Sequence, residues 1–306
     1  MGRRLIGEQQ RLSKWPLPQS GTAFGSRVES DLPLPLGRSS VKRPRGSLWI
    51  RRGQPERVYP SDRRLSRLGA GSEVTGLVSP RRRTVWVERT GRYPGALWGT
   101  VMGLSLPHLL SARGSVVLHA SCAIKDGTTV AFLGRQRTGK SSIAAALLTD
   151  GWRLVSDDSL IASVSDGRVR AAPSFPALRL WTPLATSLAS ALSLDQAPIH
   201  PAIDRHWVFL GERHWSDKVR VDLNCLCVLD DGRPTQLRGP ETTLAVLASA
   251  YDPEPGLQRD RPRWFDSARR LASSVPVLRL SAPREFSPDF RIARGVTRQL
   301  RTAGVL

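Results

Sequence analysis

The sequence of 306 residues predicts an α/β protein. Three observations favour this class. Strand-like and helix-like segments alternate from about residue 114 onward, a glycine-bounded loop joins one apolar strand to a helix, and hydrophobic residues make up 40% of the chain, enough for a sizeable core. We expect a disordered basic tail over residues 1–46, a small N-terminal subdomain of undefined fold over residues 47–112, and an α/β domain over residues 113–306.

The N-terminal third carries the weakest pattern. Residues 1–46 are rich in Pro, Gly, Ser and Arg and show no period of 2 or 3.6 residues that we can identify, which is typical of a disordered segment. Short strand-like pieces follow at residues 47–50, 74–78 and 84–87, and residues 97–110 have the character of a helix. These pieces form the predicted subdomain.

The α/β domain opens with a predicted strand over residues 116–124, a tight turn, and a second strand over residues 128–133. A helix over residues 140–149 follows, with Gly151 as its C-terminal cap. The later elements are a strand over 153–156, a hairpin of 160–163 and 168–171, a strand over 219–229, helices over 241–250 and 264–274, a strand over 277–280 and a helix over 290–300.

The chain is strongly basic. Lys and Arg number 46 against 26 Asp and Glu, a net charge of +20, and 41 of the basic residues are Arg. Residues 1–100 alone have a net charge of +13. Because the excess lies mostly outside the predicted α/β domain, we interpret it as a solvated basic tail rather than a tail that binds a specific anionic partner, and a nucleic-acid partner is not expected.

Cysteine content and hydropathy exclude several classes. Three cysteines make no disulfide framework, and Cys225 and Cys227, one residue apart on an apolar strand, should share a buried face rather than bind zinc. No signal peptide is visible, and no apolar stretch reaches the ~20 residues that span a bilayer. We therefore expect a cytoplasmic protein with no membrane partner.

A phosphate-binding motif lies between the second strand and the following helix. It fits G-x-x-x-x-G-K-[ST], a pattern whose glycines turn the backbone so that its amides, together with a helix N-terminus, surround phosphate oxygens. Its Lys would reach the β- and γ-phosphates of a nucleotide such as ATP, and its Ser would bind Mg²⁺. The nucleotide-binding residues predicted from it are Gly134, Arg135, Gln136, Arg137, Thr138, Gly139, Lys140, Ser141 and Ser142.

Two carboxylates and a histidine complete the predicted site. Asp157 and Asp158 follow a strand one helix after the loop, where a nucleotide-bound Mg²⁺ needs a ligand. Adjacent residues on an extended chain point to opposite sides, so one carboxylate could face the metal and the other an acceptor hydroxyl. His119 lies on the strand that hairpins into the loop-bearing strand, where either a core or a site role fits.

These motifs together resemble a known family. Leu118-His119-Ala120-Ser121, the phosphate loop and Leu154-Val155-Ser156-Asp157-Asp158 are similar to the catalytic half of the HPr serine kinase/phosphorylase family. The likeness is greater to shorter HPr-kinase-like proteins, which include tailoring kinases for lasso peptides. It covers about residues 114–163 and is absent before about residue 90. It implies a P-loop core of the HPr kinase/phosphoenolpyruvate carboxykinase type.

The resemblance also implies roles. Asp157 would act as general base on an acceptor Ser hydroxyl with help from His119, Lys140 would hold the transferred phosphate, and Ser141 and Asp158 would bind Mg²⁺. The sequence leaves open which aspartate takes which role. Residues 175–181 lack the Glu and the glycines of the bifunctional enzymes, which argues against phosphorylase activity and against HPr as substrate. Arg179 and Lys218 are candidate cations for phosphate charge.

The leading hypothesis is an ATP- and Mg²⁺-dependent kinase that phosphorylates a hydroxyl, most simply Ser, of a peptide or small protein. The alternatives are an ATP-binding regulatory protein without transfer activity and a nucleic-acid-associated ATPase. The HPr enzymes are hexamers, so the resemblance also implies a homo-oligomer.

Overall fold

The computed structural model describes residues 19–38, 47–69, 72–89, 93–251, 261–281 and 290–306. These residues form a mixed α/β structure with four β-sheets and a small number of helices, as the sequence predicts. In the described ranges we find no helix with the length and apolar character needed to cross a membrane.

A six-stranded sheet forms the N-terminal part, in the order β1-β2-β3-β6-β5-β4. Strands β2, β3 and β6 run parallel and the other neighbours antiparallel. Its strands are β1 (Ser20–Ala23), β2 (Ser26–Ser30), β3 (Ser47–Arg52), β4 (Arg63–Gly69), β5 (Ser72–Ser79) and β6 (Thr84–Arg89).

The first two strands correct the predicted disorder of residues 1–46. Residues 19–38 are ordered because Leu32, Leu34 and Leu36, which alternate with prolines and acidic or glycine neighbours, are each at most 5% exposed. The three leucines recur at every second residue, so their side chains point to the same side of an extended chain and all lie in the core. The intervening prolines made this segment look like a disordered one in the sequence. Residues 1–18 and 39–46 lie outside the described residues.

A nearly continuous helical segment covers the predicted helix at residues 97–110. It consists of α1 (Pro94–Thr100), a π-helical turn (Val101–Ser105) and α2 (Leu106–Ala112). Trp98 is buried, and its indole N–H donates to the carbonyl oxygen of Pro33 at 3.1 Å, which ties the helix to the ordered N-terminal segment.

The central sheet has the order β10-β8-β9-β17-β19-β18, with β9, β17 and β19 parallel. Helix α3 (Lys140–Thr149) follows β9, and two helices, α5 (Pro240–Ala248) and α6 (Arg261–Ser274), lie between β17 and β19 in the chain. Helix α7 (Ile292–Thr302) comes last. The strands are β8 (Ser121–Lys125), β9 (Thr128–Leu133), β10 (Arg153–Ser156), β17 (Cys225–Asp230), β18 (Thr235–Gln236) and β19 (Val277–Ser281).

Two smaller sheets contain the remaining strands. One has the order β16-β12-β11-β7, and the other β13-β15-β14 with α4 (Thr182–Leu192) between β13 and β14 in sequence. The strands are β7 (Val116–Leu118), β11 (Leu160–Ser165), β12 (Arg168–Ala172), β13 (Ala177–Trp181), β14 (Gln196–His200), β15 (Ile203–Phe209) and β16 (Val221–Asp222). The strands and the helix between residues 177 and 209 were not predicted from the sequence.

Two predicted strands are each divided between sheets. The segment predicted as one strand over residues 116–124 forms two strands, β7 and β8. Strand β7 pairs with β11, and β8 pairs with β9 and β10. The strand predicted over residues 219–229 likewise divides into β16 and β17. The apolar run of residues 116–124 shows no break at this point, because β7 and β8 are both buried although they belong to different sheets.

One hydrophobic cluster extends across the predicted boundary between residues 112 and 113. It joins Phe24 and Trp98 to Phe175, Trp207 and Tyr251. The indole N–H of Trp207 donates to the carbonyl oxygen of Gly95 at 3.0 Å. The two sides of that boundary therefore share a core, and their division into separate domains stays a prediction.

The three cysteines are free and buried. The Sγ atoms of Cys225 and Cys227 lie 3.7 Å apart on one face of β17, which confirms that they share a buried face. Burial raises the pKa of both Cys122 and Cys227 well above the ordinary range of a thiol, so these sulfurs are protonated at neutral pH.

Candidate functional site

The loop between β9 and α3 has the backbone that its glycines predict. Gly134 has a φ of 148° and Gly139, at the N-cap of α3, has a φ of 91°. A Cβ on Gly134 would lie 2.8 Å from Thr138 Oγ1 and 3.0 Å from the carbonyl oxygen of Leu229. Glycine is therefore required at position 134 both by conformation and by space.

Lys140 is held at the centre of this loop. Its Nζ donates to the carbonyl oxygens of Gly134 at 2.8 Å and Arg135 at 2.9 Å, and the residue is only 6% exposed. Burial lowers the pKa of Lys140, and the nearby carboxylates of Asp157 and Asp158 oppose that change. Two of the three ammonium protons are used by the loop itself, which leaves one for a further acceptor.

Asp157 lies behind the loop. It is 4% exposed, its Oδ1 accepts a 2.6 Å hydrogen bond from Ser121 Oγ, and its Oδ2 accepts one from the backbone N–H of Arg179 at 3.3 Å. Burial raises the pKa of Asp157 and the charge of Asp158 raises it further. Hydrogen bonds from Ser121, Ser141 and the Arg179 backbone oppose both effects. The Ser141 hydroxyl therefore lies close enough to this buried carboxyl group to affect its pKa.

Asp158 turns the other way and contacts two side chains. Its Oδ2 accepts a 2.8 Å hydrogen bond from Arg179 Nη2, and its Oδ1 lies 3.4 Å from His119 Nδ1. Nδ1 of His119 is also 2.9 Å from the carbonyl oxygen of Asp158. The backbone N–H of His119 donates to the carbonyl oxygen of Ser249 at 2.7 Å, which anchors it. The family resemblance implies that His119 assists Asp157, whereas in the structure His119 lies against Asp158.

A cavity of about 370 Å³ opens over the loop and these side chains. The predicted site residues that line it are His119, Gln136, Arg137, Gly139, Lys140, Ser141, Ser142 and Asp158. The lining does not include Gly134, Arg135, Thr138 or Asp157, which lie beneath or beside it. The structure therefore brings the separate motifs of the sequence to one place.

Part of the cavity wall was missed by the sequence analysis. Arg179, which was named as a candidate cation, does line the cavity, but Lys218 is exposed and is not among the lining residues. The wall that was missed comes from β13, the start of α4 and β15, and consists of Leu180, Trp181, Pro183, Leu184 and Arg205. No local motif marks these residues, and only a correct assignment of β13 and β15 would have found them.

The donor set fits magnesium only in combination with a ligand. In the part of the chain that the structure describes, no group of three or more His, Cys, Asp and Glu side chains is arranged to hold a metal by itself. Mg²⁺ in nucleotide sites is commonly held by one or two protein oxygens, with phosphates and waters supplying the rest. The hydroxyl of Ser141 beside the carboxyl group of Asp157 is such a pair of oxygen donors.

The comparisons with known proteins identify no family. No protein-family model matches the chain, and no curated protein matches it. Among solved structures, the HPr(Ser) kinase/phosphatase from Coxiella burnetii is similar, with a TM-score of 0.35 and 13% sequence identity over 62% of this chain and 96% of that chain. Since this likeness is weak, the function has to be inferred from the site residues themselves.

Proposed function

We propose that this protein is an ATP- and Mg²⁺-dependent kinase that transfers the γ-phosphate to a hydroxyl, most simply that of Ser, on a peptide or small protein. The proposal depends on one observation. A phosphate-type loop with Lys140 and Ser141 and an Asp158 carboxylate beside His119 all line one cavity.

The nucleotide would bind at the loop and the first turn of α3. The helix N-terminus presents unpaired backbone N–H groups and the positive end of its dipole, which favour phosphate oxygens. Lys140 adds a buried positive charge at the centre of the loop and is held by two carbonyl oxygens. These features suit the terminal phosphates of a nucleoside triphosphate.

The burial of the two aspartates supports a division of roles opposite to the one that the resemblance implies. Asp157 is buried, and Ser141 lines the cavity close enough to affect the pKa of this carboxyl group, so these two residues would hold Mg²⁺. When bound, Mg²⁺ would neutralise charge on the β- and γ-phosphates. Asp158 lines the cavity, where an acceptor hydroxyl has access to it.

Asp158 is accordingly our candidate for the general base. As the acceptor oxygen forms its bond to phosphorus and the bond to the leaving ADP breaks, Asp158 would take the hydroxyl proton. His119 and Arg179 orient the two oxygens of this carboxylate, and Arg179 also offers positive charge to the transferred group. Positioning and charge stabilisation supply most of the rate in such reactions.

A second candidate function, nucleotide binding without transfer, is favoured by the Arg179–Asp158 pair. The 2.8 Å contact occupies one oxygen of the carboxylate that the kinase mechanism needs. If this pair persists with nucleotide bound, the site would bind ATP and act as a regulatory switch.

A third candidate, a nucleic-acid-associated ATPase, is favoured by a basic patch on the connections between strands of the N-terminal sheet. The guanidinium groups of Arg57, Arg81 and Arg82 lie 4.9–5.4 Å from the ring of Tyr59, and Arg82 is also 5.4 Å from Trp86. Mixed basic and aromatic surfaces of this kind bind single-stranded nucleic acids.

The test uses the full chain with Mg²⁺, γ-labelled ATP and a library of short Ser-containing peptides with blocked ends. We expect label transfer by the wild type and a loss of about 10²–10⁴-fold in Asp158→Asn, with ATP affinity retained. ATP binding without transfer to any peptide would favour the regulatory function. Hydrolysis that single-stranded DNA stimulates would favour the ATPase. Undiminished transfer by Asp158→Asn would show that Asp158 is not the base.

A further inference from the structure

Trp181 and Arg205 form a structural pair in the cavity wall. They are direct cross-strand partners in the antiparallel pairing of β13 with β15, and the Arg205 guanidinium carbon lies 4.7 Å from the centre of the Trp181 ring. Both line the same cavity as Lys140 and Asp158. Trp181 is 46% exposed, which is unusual for a tryptophan and marks it as a surface able to bind a ligand.

The charge of Arg205 is not neutralised by an ion pair. Among the described residues, no carboxylate oxygen lies within 4.0 Å of its guanidinium group, whereas Arg179 next to it is paired with Asp158. Arg205 is half-buried, and its pKa is lowered by that burial and by the charges of Arg179 and Arg137. The two aspartates offset this only in part. Folding therefore places a partly desolvated cation beside other cations, an arrangement that an anionic ligand would stabilise.

The charge of the whole cavity supports the same conclusion. Four cations line it, Arg137, Lys140, Arg179 and Arg205, against the single carboxylate of Asp158. A magnesium-bound nucleoside triphosphate brings about two net negative charges. The filled cavity would still carry an excess of positive charge. On the part of the wall that β13, α4 and β15 form, rather than the phosphate-type loop, Arg205 is a cation that makes no ion pair with a described residue.

We propose that Trp181 and Arg205 form an acceptor subsite that selects a peptide carrying a carboxylate next to the hydroxyl to be phosphorylated. Arg205 would bind the carboxylate, and the exposed Trp181 ring, extended by Pro183 and Leu184, would pack against the peptide chain. This assignment builds on the proposed kinase function and names its substrate class. The carboxylate could belong to an Asp or Glu side chain or to the end of the peptide chain.

The test measures peptide binding directly, so that it does not need transfer. Fluorescently labelled Ser peptides with blocked ends are titrated into the full chain with Mg²⁺ and ADP, with Asp or Glu beside the Ser in one set and Asn or Gln in the matched set. A third set has a neutral sequence and a free C-terminal carboxylate. We expect one of the carboxylate sets to bind about tenfold or more tightly than the neutral set, and the better set identifies the source.

Variants assign this preference to the subsite. Arg205→Gln should reduce the ratio of affinities for carboxylate and neutral peptides to about one while leaving ADP affinity unchanged. Arg205→Lys should keep part of this preference for carboxylate peptides. Trp181→Ala should weaken binding of all sets alike. Arg168→Gln is the matched control, because Arg168 is exposed on β12 and pairs only with Asp222 at 3.1 Å among the ion pairs of the described chain.

The outcomes separate the two proposals. Carboxylate-selective, Arg205-dependent binding without any label transfer would support the subsite and contradict the kinase function. Transfer with no preference for a carboxylate, or a preference that Arg205→Gln retains, would overturn the subsite and leave the kinase function standing. A loss of ADP affinity in Arg205→Gln equal to the loss of peptide affinity would assign Arg205 to the nucleotide phosphates and also overturn the subsite.

Discussion

Ser121 Oγ donates a 2.6 Å hydrogen bond to Oδ1 of Asp157, a contact between a strand of the central sheet and the loop that follows another strand of the same sheet. Both residues are buried, and the other carboxyl oxygen of Asp157, Oδ2, accepts a hydrogen bond from the backbone N–H of Arg179. The burial of Asp157 is therefore compensated by donors on two strands, β8 and β13. That compensation is incomplete, since the pKa of Asp157 is still raised.

The raised pKa predicts a pH-dependent cost in stability. The folded protein holds a proton on Asp157 at a pH where the unfolded chain has released it, so this group makes the free energy of unfolding fall as the pH rises from about 4 through its folded pKa. We expect Asp157→Asn to remove this contribution. Chemical denaturation of both proteins should give a stability difference that grows in favour of Asp157→Asn as the pH rises.

The control for this prediction is Asp150→Asn. Asp150 lies 3.5 Å from Lys125 outside the buried site. Its variant shows how much a change from carboxyl to amide at an ion-paired surface position alters stability over the same pH range. A flat difference between wild type and Asp157→Asn across the same pH range would contradict the raised pKa.

Lys140→Ala should reduce affinity for Mg²⁺-ATP by about 10²-fold or more, because it removes the buried ammonium group at the centre of the loop. Isothermal titration calorimetry measures the change. Lys125→Ala is the matched variant, since the Lys125 ammonium donates to the carbonyl oxygen of Asp150 at 2.6 Å outside the cavity. Equal affinities for the two variants would show that the loop does not bind phosphate.

Gly134→Ala should destabilise the protein and impair nucleotide binding together. The new methyl group would meet Thr138 and the Leu229 backbone at 2.8–3.0 Å, and the φ of 148° is unfavourable for alanine. Such a change costs more than about 1 kcal/mol. Gly211→Ala, where no atom lies within 4 Å of the added group, should be close to neutral in thermal melting. A neutral Gly134→Ala would mean that the loop tolerates a different conformation.

Leu34→Ala tests the ordered N-terminal segment. Leu34 is 0% exposed, and truncating a leucine in such a position costs about 2–5 kcal/mol. Leu244→Ala on α5 removes the same atoms from a side chain that is 62% exposed and should change stability by less than about 0.5 kcal/mol. The free energies of unfolding in urea provide the comparison, and two equally small losses would place Leu34 outside the core.

The loop and the two aspartates could be predicted because their chemistry is local. The turn at Gly134, the start of α3 at Lys140 and the carboxylates after β10 each depend on a few consecutive residues. The assignment of roles to Asp157 and Asp158 could not be made in that way. It depends on which carboxyl group packs against Ser121 and which meets His119, and these contacts join residues about 40 positions apart.

The amino-acid sequence alone determined the α/β class, the phosphate-type loop and the presence of acidic groups near it, since periodicity and turn chemistry act over short distances. Only the tertiary structure decided that Leu32, Leu34 and Leu36 are core, that two predicted strands divide between sheets, and that Trp181 and Arg205 line the cavity. Strand pairing and burial arise from contacts between distant segments, and the order of residues along the chain does not display them.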